Sequence, residues 1–163
     1  LLWAAILRRQ GRVEEAMAVL EGARRLAPRH PEVFAALGDC CLAIGRAEEA
    51  EALLAMAAKL EPDNPERAVG LAVAHMARGR WEEAAVALEE ALRLEEAEAL
   101  RRQRWGEEDG QDGRAEILEM LGDCLLRLGR TEEAKHAWQR AVELDPHRAS
   151  LRERLRLDKN VNG

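Results

Sequence analysis

The chain has few aromatic residues and almost no hydroxyl nucleophiles. Of its 163 residues none is tyrosine, one is phenylalanine, and aromatic residues make up only 3%. The single serine is Ser150, so a serine nucleophile has essentially no candidate. With so few aromatic residues, the core is expected to consist mainly of alanine and leucine, which are strong helix formers.

Other patterns of catalysis and metal binding are missing as well. The four histidines are isolated, and neither His-Glu-x-x-His nor Gly-x-x-x-x-Gly-Lys occurs. The cysteines Cys40, Cys41 and Cys124 are odd in number and do not form a disulfide framework. We interpret them as small buried apolar residues rather than as redox or metal ligands. The sequence therefore predicts no catalytic residue, no metal site and no cofactor.

Net charge and hydropathy exclude further classes of partner. Charged residues make up 34% and the net charge is −6, with no basic stripe, so nucleic acid is not an expected partner. The apolar run from Leu1 to Leu7 is too short to span a membrane. It begins without a methionine or a helix cap, and we expect the chain to be a fragment of a longer protein. The cysteine usage favours a reducing compartment such as the cytoplasm and leaves export open.

One hexapeptide, Gly-Arg-x-Glu-Glu-Ala, occurs four times. It begins at Gly11, Gly45, Gly79 and Gly129, so the first three copies are 34 residues apart and the fourth follows after 50. We expect each glycine just past a helix end in the left-handed conformation, and each glutamate pair in the first turn of the next helix. The alanine should lie where two helices cross closely. A fixed period of this size predicts a repeat array.

The pattern resembles the tetratricopeptide repeat family, whose 34-residue helix-turn-helix unit has a Leu-Gly pair, a mid-unit glycine, alanines and a final proline. The resemblance implies an all-α, right-handed α-solenoid of about four units with a C-terminal capping helix. The predicted units are residues 1–30 (partial), 31–64, 65–98 and 115–148, with an insertion at 99–114, a capping helix at 149–157 and a disordered tail at 158–163. Their helices are predicted to end at Arg9, to span 13–26, 31–44, 47–60 and 65–78, and to begin again at Trp81.

The insertion follows from a missing proline. Leu94-Glu95-Glu96 stands where Leu60-Glu61-Pro62 closes the previous unit, so the helix should continue through Trp105 and end near Gly106. The stretch from Gly106 to Gly113 is predicted to be a flexible acidic loop. We expect Trp105 to pack back on the array, with exposure to a partner as the alternative.

The resemblance also implies a binding surface, because the first helices of successive units in this family line a concave groove. Carried onto this sequence, the groove comprises Arg8, Arg9, Glu32, Asp39, Leu42, Glu66, Val69, Val73, Met76, Glu116, Glu119, Asp123, Leu126 and Arg127. Gly70, Ala35 and Ala36 are expected to leave room for a close approach. These acidic and apolar residues predict a protein or peptide partner with apolar anchors beside lysine or arginine.

The leading hypothesis is thus a non-catalytic protein-interaction module or scaffold. One alternative is self-association through the apolar helix from Leu1 to Leu7. Another is a regulatory module of a larger enzyme. The groove carboxylates could also simply keep an open face soluble.

Overall fold

The structure of the chain is a computed structural model that describes residues 1–106, 113–148, 151, 152 and 155. These residues contain no β-strand, and their eight α-helices are α1 (Leu2–Arg9), α2 (Val13–Leu26), α3 (Pro31–Ala43), α4 (Ala47–Leu60), α5 (Pro65–Ala77), α6 (Trp81–Trp105), α7 (Arg114–Arg127) and α8 (Thr131–Leu144). Two compact units are present, Leu1–Arg80 with α1 to α5 and Trp81–Gly163 with α6 to α8. Within each unit every helix packs on the next one in the chain. The predicted all-α class is confirmed.

The repeated glycines end the first helix of each pair. The φ angle is +77° at Gly11, Gly45 and Gly129 and +70° at Gly79. At the first of them the Gly11 N–H donates to the Arg8 carbonyl and the Arg12 N–H to the Leu7 carbonyl, both at 2.9 Å. These bonds satisfy carbonyls that the helix end would otherwise leave open.

The remaining residues of the hexapeptide begin the second helix. In three of the four copies the arginine before the helix pairs with the second glutamate, for example at 2.6 Å for Arg12 and Glu15 and at 3.5 Å for Arg46 and Glu49. The hydrogen bond from Arg12 lowers the pKa of the Glu15 carboxyl. Because these pairs are exposed, they orient the helix start more than they stabilise the fold.

The core of the first unit consists of small and branched apolar side chains. Ala16, Leu20, Leu37 and Cys40 are almost completely buried together. Gly38 lies against the next helix, since a Cβ added there would be 2.5 Å from Leu54 Cγ. Helices α3 and α4 therefore approach each other closely at this glycine.

The second unit repeats this arrangement with a larger partner. A Cβ at Gly122 would overlap the indole of Trp138, which takes the position of the leucine. The Trp138 Nε1–H donates to the Glu119 carbonyl at 3.3 Å, so the buried ring keeps a hydrogen bond. Ala134, Ala137 and Ala141 of α8 are buried beside it.

The helix bounds agree with the sequence to within a residue. Helices α3 and α5 end at Ala43 and Ala77, one residue before the predicted ends, because Ile44 and Arg78 are their C-terminal caps. Helix α6 continues for 25 residues to Trp105, as the missing proline predicts. Among the described residues no helix combines the length and the apolar character needed to cross a membrane.

Some predictions fall on residues that the structure does not describe. The acidic loop lies almost wholly there, at residues 107–112, as does the tail at 158–163. Of the capping helix only residues 151, 152 and 155 are described, and Leu151 is completely buried.

The preferred placement of Trp105 is wrong. Its side chain is 72% exposed at the end of α6 rather than packed on the array. The reason is its position: Trp105 is the last residue of α6, and Gln103, Arg104 and Gly106 beside it are exposed as well.

Candidate functional site

Three first helices, α1, α3 and α5, lie next to one another in the first unit. The Arg8 Nη1 of α1 is 2.6 Å from the Asp39 Oδ2 of α3. The Arg67 Nη2 of α5 is 3.5 Å from the Glu32 Oε1, also of α3. In this unit the predicted groove residues of the three helices therefore belong to one row of neighbouring helices.

Much of the predicted acidic wall on this row is already neutralised. Asp39 is paired with Arg8, and Glu32 has both Arg67 and the His30 Nδ1, the latter at 2.6 Å. Glu66 is exposed and has no ion pair within the described residues. The row thus offers less free negative charge than the sequence indicates. The spacing of residues in the sequence did not show that cations of neighbouring helices reach these carboxylates. Arg9 is exposed at the end of α1.

The apolar groove residues differ in how much they offer a partner. Val69, Val73 and Met76 of α5 are half-buried and keep part of their surface open. Leu42 also packs inward, against the buried cluster around Leu54. The expectation for Gly70 needs correction, since a Cβ there would be 3.1 Å from Leu54 Cδ2. Its missing side chain makes room for a leucine of the same chain.

A cleft of about 400 Å³ opens between α1 and α3. Its lining is almost wholly apolar and consists of Leu1, Leu2, Ala4, Ala5, Leu20, Ala36 and Cys40, with Arg8 and Glu32 as the charged members. Such a cleft can receive an apolar side chain of a partner. The sequence placed Arg8 and Glu32 in the groove, but it gave no sign of a cavity between them.

The second unit contributes the groove residues of α7. Glu116 and Leu126 are exposed, and the Arg127 guanidinium lies 5.5 Å from the centre of the Trp81 ring in a cation–π contact. Glu119 is paired with Arg148. Asp123 is half-buried. Only part of this predicted set is therefore free to meet a partner.

A charged cluster that the repeat pattern did not reveal surrounds Glu51. Its carboxylate is 2.6 Å from Arg78 Nη1, 3.0 Å from Arg80 Nη1 and 3.7 Å from the His75 Nδ1. Burial acts to raise the pKa of the Glu51 carboxyl, but the hydrogen bond from Arg78 and the nearby cations hold that pKa below its ordinary value. The register gives no signal for this site, because the positions equivalent to Glu51 are Met17, Ala85 and Lys135.

The three cysteines are free, buried thiols, as the sequence predicts. Burial raises the pKa of each thiol, and for Cys124 it raises the pKa to about 11. A thiol with a raised pKa forms little of the reactive thiolate. Within the described part of the chain no three metal-ligating side chains come together.

Comparison with known families gives three matches along the chain. Models described as tetratricopeptide repeat match residues 7–66, 68–98 and 115–148. Among curated protein sequences nothing matches significantly.

Solved structures show the same fold at low sequence identity. A crystal structure of MamA is 18% identical with a TM-score of 0.79, covering 98% of this chain and 84% of MamA. Pseudomonas aeruginosa pilF is 19% identical with a TM-score of 0.76, covering 92% of this chain and 61% of pilF. TTC0263, a thermophilic TPR protein in Thermus thermophilus, is 21% identical with a TM-score of 0.73, covering 93% and 75% of the two chains. At these identities the likeness concerns the fold alone.

Proposed function

Since this chain belongs to the tetratricopeptide repeat family, whose repeats are generally protein-interaction modules, we propose that it binds a segment of a partner protein on the row formed by α1, α3 and α5. Repeats of this family are typically non-catalytic, and no catalytic family matches the chain. The groove residues of α7, Glu116, Glu119, Asp123, Leu126 and Arg127, remain part of the proposal.

The observation that carries the proposal is the apolar cleft between α1 and α3. It lies among residues that the resemblance assigns to the groove, and its lining includes Arg8 and Glu32. An apolar anchor of the partner would fill the cleft, and a neighbouring lysine or arginine would meet Glu32 or the exposed Glu66. The anchor would supply most of the affinity, because Asp39 and Glu32 already have cations beside them.

A peptide library displayed on phage tests this proposal. Peptides selected on the protein should share an apolar anchor with an adjacent basic residue. Ala5→Glu, which places a charge on the exposed wall of the cleft, should weaken their binding at least about tenfold, because a carboxylate is poorly tolerated beside a buried apolar contact.

Ala18→Glu is the matched control, since Ala18 is also an exposed alanine of a helix in the first unit but lies on α2. Equal affinity of the peptides for the two variants would show that they bind outside the cleft and would refute the cleft as their site.

Self-association is a second candidate, favoured by the open face of α1. Trp3 is 57% exposed and Ile6 37% exposed, whereas their equivalents one repeat later, Leu37 and Cys40, are each 1% exposed. In that repeat the positions are covered by side chains of α1 and α2. A second copy of the chain could cover them on α1 instead.

Sedimentation at several protein concentrations separates the two candidates. Self-association predicts a mass that rises with concentration in the parent protein and not in Trp3→Glu. A constant monomer mass would exclude this candidate and leave the peptide-binding proposal untouched.

A further inference from the structure

The outer face of the last turns of α6 carries a set of exposed apolar and basic residues. Ala97, Leu100, Arg101, Arg104 and Trp105 recur at helical spacing and are all exposed, with Leu100 at 68% and Trp105 at 72%. We name these five residues the outer stripe. On a helix they span about 12 Å along one face.

The opposite face of the same turns is held in place. Glu95, Glu98, Ala99 and Arg102 are half-buried, and the Arg102 Nη2 is 3.3 Å from the Glu95 Oε2. Glu96 is 3.1 Å from the Arg140 Nη2 of α8. The pair of Glu96 with α8 and the packing of α6 on α7 fix the rotation of the helix about its axis, so the outer stripe is presented outward by the fold itself.

The charge of the outer stripe is opposite to that of the chain. The chain as a whole has a net charge of −6, but the outer stripe contains two arginines and no acidic residue. Arg101 and Arg104 form no ion pair with any residue that the structure describes, whereas Arg93 of the same helix is 2.5 Å from Glu90. The outer stripe therefore combines two large apolar side chains with two guanidinium groups that have no ion pair among the described residues.

We propose that the outer stripe binds an acidic amphipathic helix of a partner protein. Apolar side chains of that helix pack between Leu100 and Trp105, and its carboxylates meet Arg101 and Arg104. Tryptophan and arginine are the residues that most often dominate the affinity of protein interfaces. Two arginines are too few for the row of phosphate contacts that nucleic acid needs, and the net negative charge of the chain opposes an anionic lipid surface.

This surface is separate from the proposed groove. It lies on the second helix of a repeat, whereas the groove residues lie on first helices, and it selects a partner of the opposite charge. A single chain could thus hold two different segments.

A pair of synthetic peptides tests the proposal by fluorescence anisotropy. Both are about 18 residues long, enough to form a helix, with leucines at helical spacing. One carries glutamates beside the leucines, and the other carries lysines at the same positions. The glutamate peptide should bind at least about tenfold more tightly than the lysine peptide, because the exchange replaces attraction by repulsion at two arginines.

The double variant R101E/R104E should weaken binding of the glutamate peptide about tenfold, and Trp105→Ala should weaken it by at least as much. R25E/R29E is the matched control, because it changes the net charge equally at exposed arginines of the first unit. Circular dichroism checks that every variant keeps its helix content.

Three results would overturn the proposal. The first is equal affinity for both peptides. The second is an equal loss of affinity for the glutamate peptide in R25E/R29E and in R101E/R104E. The third is binding to phosphatidylglycerol vesicles, lost in R101E/R104E, with no binding of the glutamate peptide, which would assign the outer stripe to a lipid surface.

Discussion

Two glycines inside helices show how single residues set the spacing of this fold. Gly38 and Gly122 lie in the middle of α3 and α7, where glycine costs about 1 kcal/mol relative to alanine. Each makes room for a large side chain of the next helix, Leu54 or Trp138. The close contact between the helices compensates for the weak helix former.

Replacing Gly122 tests this account. Gly122→Ala should lower the free energy of unfolding by about 1–3 kcal/mol, because its Cβ overlaps the rigid indole of Trp138. Gly22→Ala should instead raise the free energy of unfolding by about 0.5–1 kcal/mol, since open space surrounds Gly22 in the interior of α2. Urea denaturation of both variants measures the difference, and a loss of stability in Gly22→Ala would contradict it.

The Glu51 cluster makes a prediction about pH. The pKa of the Glu51 carboxyl is lower in the folded protein than in the unfolded chain, where it is about 4.3. The carboxylate therefore stabilises the fold above about pH 4.3, and this stabilisation is lost as the pH falls through the folded-state pKa. Glu51→Gln should therefore lower the free energy of unfolding by about 1–3 kcal/mol at neutral pH, because three cationic or polar neighbours lose their carboxylate. Near pH 3 the loss should be much smaller. Urea denaturation at both pH values checks this, and a cost that grows on acidification would refute it.

At the scale of helices, the sequence predicted most of the fold because the same packing problem recurs every 34 residues. Repetition of glycine, glutamate pairs and alanine placed the helix ends within one residue. Comparison with the other units also showed that the third unit lacks the closing proline, and this predicted the long α6. Features that occur once, such as Glu51 with Arg78 and Arg80, were not predictable, because no second copy revealed them.

The candidate site was predictable only in part. The first helices do form a row in the first unit, as the resemblance implies. The ion pairs of Asp39 and Glu32 and the inward role of Gly70 depend on side chains that meet from different helices. Helical periodicity places a residue on a face, but it does not show which neighbour reaches it.

Enlarging the alanines at helix crossings tests the packing of whole elements. Ala50, Ala84 and Ala134 are completely buried at equivalent positions of α4, α6 and α8. Substitution of each by leucine should lower the free energy of unfolding by about 1–3 kcal/mol, because the added atoms force the helices apart. Ala52→Leu on the exposed face of α4 is the control and should be close to neutral. Neutral results at all three buried positions would mean that the helices cross elsewhere.

For the molecule as a binding module, we predict that apolar contacts determine affinity and charge determines the rate of association. Met76→Glu should nearly abolish binding of a peptide selected on the protein, whereas Asp39→Lys and Asp123→Lys should mainly slow its association. Surface plasmon resonance at two salt concentrations separates the two effects. Asp63→Lys, in an exposed turn, is the charge-matched control. A peptide indifferent to all three groove variants binds another face.

The buried thiols can report the local opening of the helices around them. Cys40 and Cys41 lie in the first compact unit and Cys124 in the second, each at most 1% exposed. An alkylating reagent can reach them only when the surrounding helices open, so the labelling rate measures the free energy of that opening. Mass spectrometry of partly labelled protein would show whether the two units open together or one before the other. Gly122→Ala should then speed the labelling of Cys124 in particular, without any dye or engineered probe.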